Sequence, residues 1–281
     1  MAFADWPSSD GQNMLLYPWF RDFADHPDKF VEHGHRLAGV LIGLVSIALF
    51  TTAIVLERNW VKTFSAIILV SVVVQGAIGG ARVLLDQRVL AMTHSLTGGA
   101  FFSLCVVFRL LCSKGWPRWN QQPDRRLTPL TAAVVAITPI ALVGQYFLGS
   151  LLRHFHLMLD EHLIGATVVS VIGCSAAVCL LRSENTLLRR SGLAIASVLM
   201  LQLMLGAGAY LTRFGLPQIG FVATIGSASQ AVACSLHTVF GMLLLASAVA
   251  GTTSMLVLYR AGMLHGLRIE MSALSDRGTA A

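Results

Sequence analysis

The stretch Phe30-Val-Glu-His-Gly-His-Arg36 leads directly into the run Leu37–Leu56, which contains no charged residue. About 20 apolar residues are enough for a helix to cross a bilayer. Ionisable groups at the mouth of such a helix are costly and usually serve a function. The stretch therefore predicts a membrane helix whose entrance carries four ionisable groups, Glu32, His33, His35 and Arg36.

Histidines stand at the same place in three further apolar runs. His94 begins His-Ser-Leu-Thr-Gly-Gly, His162 begins His-Leu-Ile-Gly-Ala, and His237 begins His-Thr-Val-Phe-Gly. Together with His35, these four imidazoles are the principal candidate functional groups.

The composition is that of an integral membrane protein. Of the 281 residues, 55% are hydrophobic and only 12% are charged, and the mean hydropathy is +0.70, which leaves too little polar surface for a soluble domain. The net charge of +6 does not indicate nucleic-acid binding, because the basic residues lie in short loops between apolar runs, as the positive-inside rule predicts. The five cysteines lie in or at the edges of apolar runs, so neither a disulfide framework nor a zinc site is indicated.

Seven apolar runs are long enough to span a membrane and predict seven transmembrane helices. Unsatisfied backbone groups exclude irregular structure in lipid, so the predicted fold class is an all-α, polytopic membrane bundle. The predicted spans are 34–56, 64–85, 92–112, 129–152, 158–181, 192–212 and 235–259.

Basic residues are concentrated in the loops after the first, third, fifth and seventh runs, which places these loops and the C-terminus in the cytoplasm. They are Arg58, Lys62, Lys114, Arg118, Arg125, Arg126, Arg182, Arg189, Arg190, Arg260, Arg268 and Arg277. The chain is expected in the inner, cytoplasmic membrane of the cell, with the histidine sites near the outer face. Residues 1–31 would then have to be exported with nothing in front of them, so we expect an additional upstream helix and a native bundle of eight.

An internal repeat divides the chain into two pseudo-symmetric four-helix halves. Gln75 lies 40 residues after His35, and Gln202 lies 40 residues after His162. Both halves begin with a helix that enters from the same side, so the repeats are parallel about an axis normal to the membrane. The predicted domains are an outer loop at 1–33, an N-terminal half at 34–128, a C-terminal half at 129–259 and a cytoplasmic tail at 260–281.

Two imidazoles at equal depth on facing helices are what a porphyrin iron needs for ligation on both faces. A glycine one turn after each histidine leaves room for a flat macrocycle, although small residues also allow close helix packing. These glycines are Gly39, Gly98, Gly165 and Gly241. The alternative for any single histidine is an interhelical hydrogen bond, but four histidines in two pairs favour iron ligation. A zinc site is less well supported, since no Asp or Cys ligand is local.

The two halves differ beside the first histidine. Glu32 precedes His35 by one helical turn, whereas Leu159 stands at that place before His162. A carboxylate beside only one pocket indicates that protons move there, and the alternative is a solvated interfacial acid.

Four arginines lie at the outer ends of helices, where they can pair with haem propionates or reach toward lipid headgroups. They are Arg36, Arg82, Arg153 and Arg213. The remaining histidines are predicted to be solvated, namely His26, His33, His154, His156 and His265.

The chain resembles the haem A synthases over nearly its whole length. The motifs that carry the resemblance are Asp5-Trp-Pro7, Glu32-x-x-His35-Arg36, Gln75-Gly-x-x-Gly-Gly80, His94, Gln145-x-x-Leu-Gly149-x-x-x-Arg153-His154, His162, Gln202-x-x-x-Gly206 and His237. The resemblance implies eight helices in two four-helix halves. It further implies that haem O is bound as substrate near His35 and His94, that Glu32 assists the chemistry, and that the second histidine pair holds a haem b.

The reaction implied by the resemblance oxidises the C8 methyl group of haem O to a formyl group by successive hydroxylation, which gives haem A for cytochrome c oxidase. A methyl C–H bond needs a strong oxidant, which a protein supplies only through a cofactor. The expected partners are haem O synthase, the cytochrome c oxidase assembly system, an unidentified electron donor, membrane lipid and a second copy of the chain. Many relatives carry a cysteine pair in the outer loops, but Ser8 and Ser9 follow Trp-Pro here, so cysteine-assisted chemistry is not expected.

Two other functions fit the same polar groups. A b-type cytochrome with two bis-histidine haems would transfer electrons and would leave Glu32 without a role. A transporter or proton channel is less favoured, because few Gly or Pro residues interrupt the helices near mid-membrane, with Pro139 the exception.

Overall fold

The computed structural model describes residues 2–114, 124, 126–216, 218 and 220–278, with the side chains of 261 and 263–278 left undescribed. Seven helices in this part of the chain are long and apolar enough to cross a membrane. They are α1 (Pro27–Leu56), α2 (Asn59–Leu85), α3 (Arg88–Leu111), α4 (Pro129–Phe155), α5 (Leu159–Leu181), α6 (Thr186–Phe214) and α7 (Ala228–Gly278). The predictions of an all-α membrane protein and of seven spanning helices are confirmed.

The first helix begins earlier than the predicted residue 34. It starts at Pro27, because proline has the backbone angle of a first helical turn and lacks the N–H that would be unpaired there. Glu32 therefore lies inside α1, on the same helix as His35, rather than ahead of it.

The last helix also exceeds its predicted span of 235–259. It continues to Gly278, so most of the stretch predicted as a tail is helical. Residues 279–281 of that tail, and the loop residues Arg118 and Arg125 used for the orientation, lie outside the described residues.

The chain forms two compact units. The first contains Met1–Phe101 and Ser150–Leu157, and the second contains Phe102–Gly149 and Met158–Ala281. His35 and His94 fall in the first unit, and His162 and His237 fall in the second. Each unit thus holds one predicted histidine pair, while the domain boundaries predicted from the repeat stay predictions.

The second unit has a continuous apolar core. Leu180, Ile195 and Met255 are completely buried in it, and the Thr252 hydroxyl donates a hydrogen bond of 2.8 Å to the carbonyl of Val135. Helices α5 and α6 approach closely at Gly192, where a Cβ atom would lie 2.9 Å from backbone atoms of α5. The glycine is required there, since a backbone neighbour cannot move aside as a side chain can.

In the first unit, the N-terminal segment folds against α1 and α2. Phe3 is fully buried and Tyr17 nearly so, and the two rings meet edge to face with centroids 5.4 Å apart. The indole of Trp6 lies on Gly80 of α2, where a Cβ atom would come within 2.6 Å of it. The segment predicted as an outer loop is thus packed onto α1, which carries His35, and onto α2, whose Gly79 faces His94.

Candidate functional site

The structure brings the predicted histidines together as two pairs. In the first unit, the ring centroids of His35 and His94 are 6.0 Å apart and the rings are inclined at 89°. In the second unit, the centroids of His162 and His237 are 6.3 Å apart with the rings at 90°. Residues far apart in sequence thus form two sites of nearly the same geometry.

This separation fits two imidazoles on opposite sides of one metal ion. A metal–imidazole bond of about 2.0–2.1 Å plus about 1.1 Å from the nitrogen to the ring centre gives a centroid separation of roughly 6.2 Å for two rings in line. Both pairs lie within 0.2 Å of that value. Among the described residues, no group of three or more His, Cys, Asp or Glu side chains could hold a metal ion. Two axial imidazoles suit an iron whose other ligands come from a porphyrin.

The histidines on α3 and α5 are each held by a glutamine of the preceding helix. The Gln75 amide donates a hydrogen bond of 2.7 Å to the carbonyl of His94, and the Gln145 amide donates one of 2.8 Å to the carbonyl of His162. In the first unit, the Thr97 hydroxyl also donates to Oε1 of Gln75 at 2.6 Å. The glutamines had marked the repeat in the sequence, but this anchoring role was not predicted from it.

The glycines expected to leave room for a macrocycle have a different neighbour. A Cβ atom at Gly98 would lie 3.1 Å from the amide of Gln75, and one at Gly241 would lie 3.2 Å from the amide of Gln202. A Cβ atom at Gly165 would likewise meet the amide of Gln145, whereas Gly39 has no atom within 4 Å of its Cβ position. Three of the four predicted glycines therefore leave room for a glutamine amide.

Glu32, the predicted proton-handling acid, is held in an ion pair. Its Oε1 accepts a hydrogen bond of 3.0 Å from Arg36, one turn further along α1. Its Oε2 accepts one of 2.8 Å from the backbone N–H of Ala2. The carboxylate is only 14% exposed and the guanidinium 7%, so the predicted alternative of a solvated interfacial acid is wrong.

Arg36 joins α1 to the N-terminal segment. One guanidinium nitrogen donates to the carbonyl of Asp5 at 2.9 Å and to that of Ser8 at 2.7 Å. The guanidinium also lies over the ring of Phe3, 4.9 Å from its centroid. Arg36 therefore binds protein carbonyls, and the interpretation of this residue as a propionate partner is not supported by its contacts.

Arg82 and Arg153 were the other arginines proposed to bind carboxylates of a cofactor. Arg82 is half-buried in the last turn of α2, and its charge acts on the imidazoles of both His35 and His94. Arg153 is exposed in the last turn of α4 and belongs to the same unit. Arg82 thus lies beside the first histidine pair. The predicted contacts of Arg82 and Arg153 with a cofactor stay predictions.

The prediction that His33 is solvated is wrong. Its side chain is only 1% exposed, since it faces the N-terminal segment and not water. Nδ1 lies 3.1 Å from the hydroxyl of Ser9, and the ring packs against Tyr17 with centroids 4.9 Å apart. The aromatic residues of the N-terminal segment were evident in the sequence, but their packing around His33 could not be inferred from local sequence.

The same cluster contains a buried carboxylate. The Tyr17 hydroxyl donates a hydrogen bond of 2.6 Å to Asp22, whose side chain is almost fully buried. This hydrogen bond holds the pKa of Asp22 below its ordinary value. Burial, together with the neighbouring Asp22 carboxylate, raises the pKa of Tyr17.

Comparison with known families identifies part of the chain. Residues 23–161 match the family model described as cytochrome oxidase assembly protein. The matched segment contains His35, Gln75, His94 and Gln145 and ends one residue before His162. No curated protein and no solved structure matches the chain.

Proposed function

We propose that the chain is a haem A synthase, which oxidises the C8 methyl group of haem O to a formyl group, since residues 23–161 match the family of cytochrome oxidase assembly proteins. The observation that carries this proposal is the occurrence of two imidazole pairs at 6.0 and 6.3 Å. One pair lies inside the matched segment. The other repeats its geometry outside that segment.

The two sites have different tasks in this proposal. His35 and His94 receive haem O as substrate because, among the described residues, Glu32, Arg36 and Arg82 place their charges beside this pair. His162 and His237 hold a haem b as resident cofactor. When bound, haem iron supplies the redox chemistry that amino-acid side chains lack.

The protein residues contribute binding and proton handling. Arg82 offers a positive charge to the carboxylates of the substrate porphyrin, since a guanidinium matches a carboxylate with two parallel hydrogen bonds. Glu32 is the base that accepts the protons that leave the substrate site, because its carboxylate is mostly buried one turn before His35. Its bond to Arg36 keeps the carboxylate in place between proton transfers.

The placement in the cell is part of the proposal. The chain is a multi-pass membrane protein, and its basic loops favour an orientation with the histidine sites near the outer face of the cytoplasmic membrane. Haem O synthase would supply the substrate, cytochrome c oxidase would receive the product, and an electron donor of unidentified kind would serve the reaction. An oxidant from outside the chain would take up the electrons removed from the methyl group. A homo-oligomer is a further expectation.

A second candidate is a b-type cytochrome that transfers electrons. The near identity of the two imidazole pairs favours it, because two equal bis-histidine sites suit two equal haems. It gives no role to Glu32, which stands beside one pair only. The products of the two functions are different, and a direct test is therefore available.

The test is to express the protein with a source of haem O in a membrane that lacks haem A, and to separate the extracted haems by chromatography. Haem A or its hydroxymethyl precursor is the expected product. Haem b alone would refute the synthase and favour the electron carrier, and the absence of any haem would refute both.

Single substitutions test the separate roles proposed for the two sites. His162→Ala is expected to lose the resident haem, whereas Glu32→Gln is expected to keep it and lose the oxidised product. His26→Ala is the matched control, because His26 is an exposed histidine ahead of α1 and its loss should change neither. Full turnover in Glu32→Gln would overturn the proton-handling role.

A further inference from the structure

A glycine on the preceding helix lies directly against the imidazole in three places. A Cβ atom at Gly79 would be 2.9 Å from Cε1 of His94, and one at Gly149 would be 3.0 Å from Cε1 of His162. At Gly206 it would be 3.1 Å from Cε1 of His237. In each case the glycine follows the anchoring glutamine by four residues, so the same contact recurs in three helical hairpins.

The imidazoles present the same edge to these glycines. From each Cβ position, Cε1 is the nearest ring atom, Nδ1 the second and Nε2 the third. Each ring is also in polar contact with the backbone of the glutamine one turn earlier. Nδ1 of His94 and Nδ1 of His237 are buried and have no hydrogen-bond partner of normal geometry, so for these two rings the glutamine backbone is the nearby acceptor. Nδ1 of His162 instead lies 3.1 Å from the side-chain amide nitrogen of Gln145.

A metal-bound histidine normally donates its second ring N–H to a carboxylate, a backbone carbonyl or water, which fixes the tautomer and the ring orientation. We infer that Gly79, Gly149 and Gly206 are positioning residues, each of which lets an imidazole rest its Nδ1 edge on the backbone of the preceding helix. That arrangement leaves Nε2 as the nitrogen that binds iron. The inference rests on the proposed function for the identity of the metal, but not for the orientation of the rings.

Neighbouring glycines on the same helices separate this role from ordinary close packing. Gly76 on α2, Gly144 on α4 and Gly208 on α6 have no atom within 4 Å of their Cβ positions. Alanine at either kind of position raises helix propensity by a similar amount. Any difference between the two sets of alanine variants therefore reports the contact with the imidazole.

The orientation is tested on the full-length protein in detergent before haem is added. ¹⁵N NMR of histidine-labelled protein is expected to show His94 and His237 as the Nδ1–H tautomer in the wild type. Gly149→Ala and Gly206→Ala should shift the signal of the one histidine that each glycine contacts, whereas Gly144→Ala and Gly208→Ala should not. An Nε2–H tautomer of His94 or His237 in the wild type, or equal effects in both sets, would overturn the inference.

The consequence for the metal is then measured after haem b is added. Loss of an outer partner of a metal ligand typically costs about 10- to 100-fold in affinity. Gly149→Ala and Gly206→Ala are expected to transfer their haem to apomyoglobin about 10- to 100-fold faster than the wild type, and Gly144→Ala and Gly208→Ala at the wild-type rate. Equal rates in all five proteins would refute the positioning role.

Gly79→Ala supplies a check on folding, because it alters only the hairpin of His94. This variant should retain the absorption band of the haem held by His162 and His237, which shows that the bundle is intact, while its affinity for added haem O falls about 10- to 100-fold. Unchanged affinity for haem O would contradict the inference. A wild-type protein that shows the Nδ1–H tautomer but binds no haem would refute the proposed function and leave the ring orientation standing.

Discussion

Replacement of Arg36 by methionine should release the N-terminal segment from the first histidine site. Arg36 makes three hydrogen bonds, to the carbonyls of Asp5 and Ser8 and to the carboxylate of Glu32, at 2.9, 2.7 and 3.0 Å. Methionine has a similar length and preserves apolar contacts but makes none of these bonds. Because Glu32 is only 14% exposed, the substitution also leaves a mostly buried carboxylate without its counter-charge.

The expected size follows from these contacts. Removal of one member of a buried, hydrogen-bonded ion pair typically costs about 3–5 kcal/mol, and partial exposure of the pair puts this one at the lower end. A cost of about 3 kcal/mol makes opening of the segment roughly 100-fold more frequent, since each 1.4 kcal/mol is about tenfold. The helices keep their own contacts, so the loss is local.

Amide hydrogen exchange is the direct assay. The N–H groups of Asp10 and Gly11 bond to the Asp5 carboxylate, and their exchange should accelerate about 100-fold in Arg36→Met. Glu32→Gln is the matched comparison, because glutamine keeps an acceptor oxygen for Arg36 but cannot carry a proton. It should accelerate exchange by less than about tenfold, yet abolish formation of oxidised haem.

Two results would refute this account. Unchanged exchange in Arg36→Met would mean that the ion pair does not hold the segment. Equal acceleration in both variants, with activity lost in proportion, would mean that Glu32 acts only as a structural anchor.

Three further predictions concern stability. Tyr17→Phe should destabilise the N-terminal cluster at pH values above 3.8, the ordinary pKa of Asp22. The difference in stability from wild type should vanish as pH falls through the lower pKa of Asp22 in the folded protein, because the hydrogen bond that lowers this pKa stabilises the ionised carboxylate. Unfolding measured from pH 7 to pH 2 checks this. Gly192→Ala should lower the free energy of unfolding by about 1–3 kcal/mol in an SDS titration, because the new methyl group meets backbone atoms. Thr97→Val should cost about 1 kcal/mol in the same assay, since Oε1 of the partly buried Gln75 loses its donor.

Each of these has an outcome that would contradict it. A constant difference between Tyr17→Phe and wild type at all pH values would exclude linkage to Asp22. Gly43→Ala controls for helix propensity, because no atom lies within 4 Å of its Cβ position, so equal effects at Gly43 and Gly192 would exclude a packing origin. Full stability of Thr97→Val would mean that water replaces the hydroxyl.

The helices were predictable because the length and low polarity of a membrane-spanning segment can be read directly from the sequence. Seven spans follow from the hydrophobic runs alone, and the structure confirms all seven. The ends were less accurate. Pro27 begins α1 well before the apolar run, and α7 continues to Gly278, since helices extend into polar sequence wherever caps and local contacts allow it.

The pairing of histidines was predictable from the repeat, but the residues that orient them were not. Spacing relates each glutamine to a histidine, yet only a packed hairpin reveals that the glutamine bonds to the backbone carbonyl and that the glycine four residues later meets the ring. The sequence placed the glycine contacts on the histidine helix, at Gly98, Gly165 and Gly241. The structure places the ring contacts on the opposite helix, because the histidine side chain reaches across to the neighbouring backbone.

The distinction between the two sites comes from the first turns of α1 and from the N-terminal segment that packs on them. The hairpins that carry His94, His162 and His237 share the same glycine contact, so these hairpins alone would build equivalent sites. What the first site adds is the Glu32–Arg36 ion pair, and that pair is completed by backbone groups of the segment ahead of α1. If one site oxidises its porphyrin and the other holds it, disruption of this segment should therefore abolish turnover at the first site while the haem of the second site keeps its absorption spectrum.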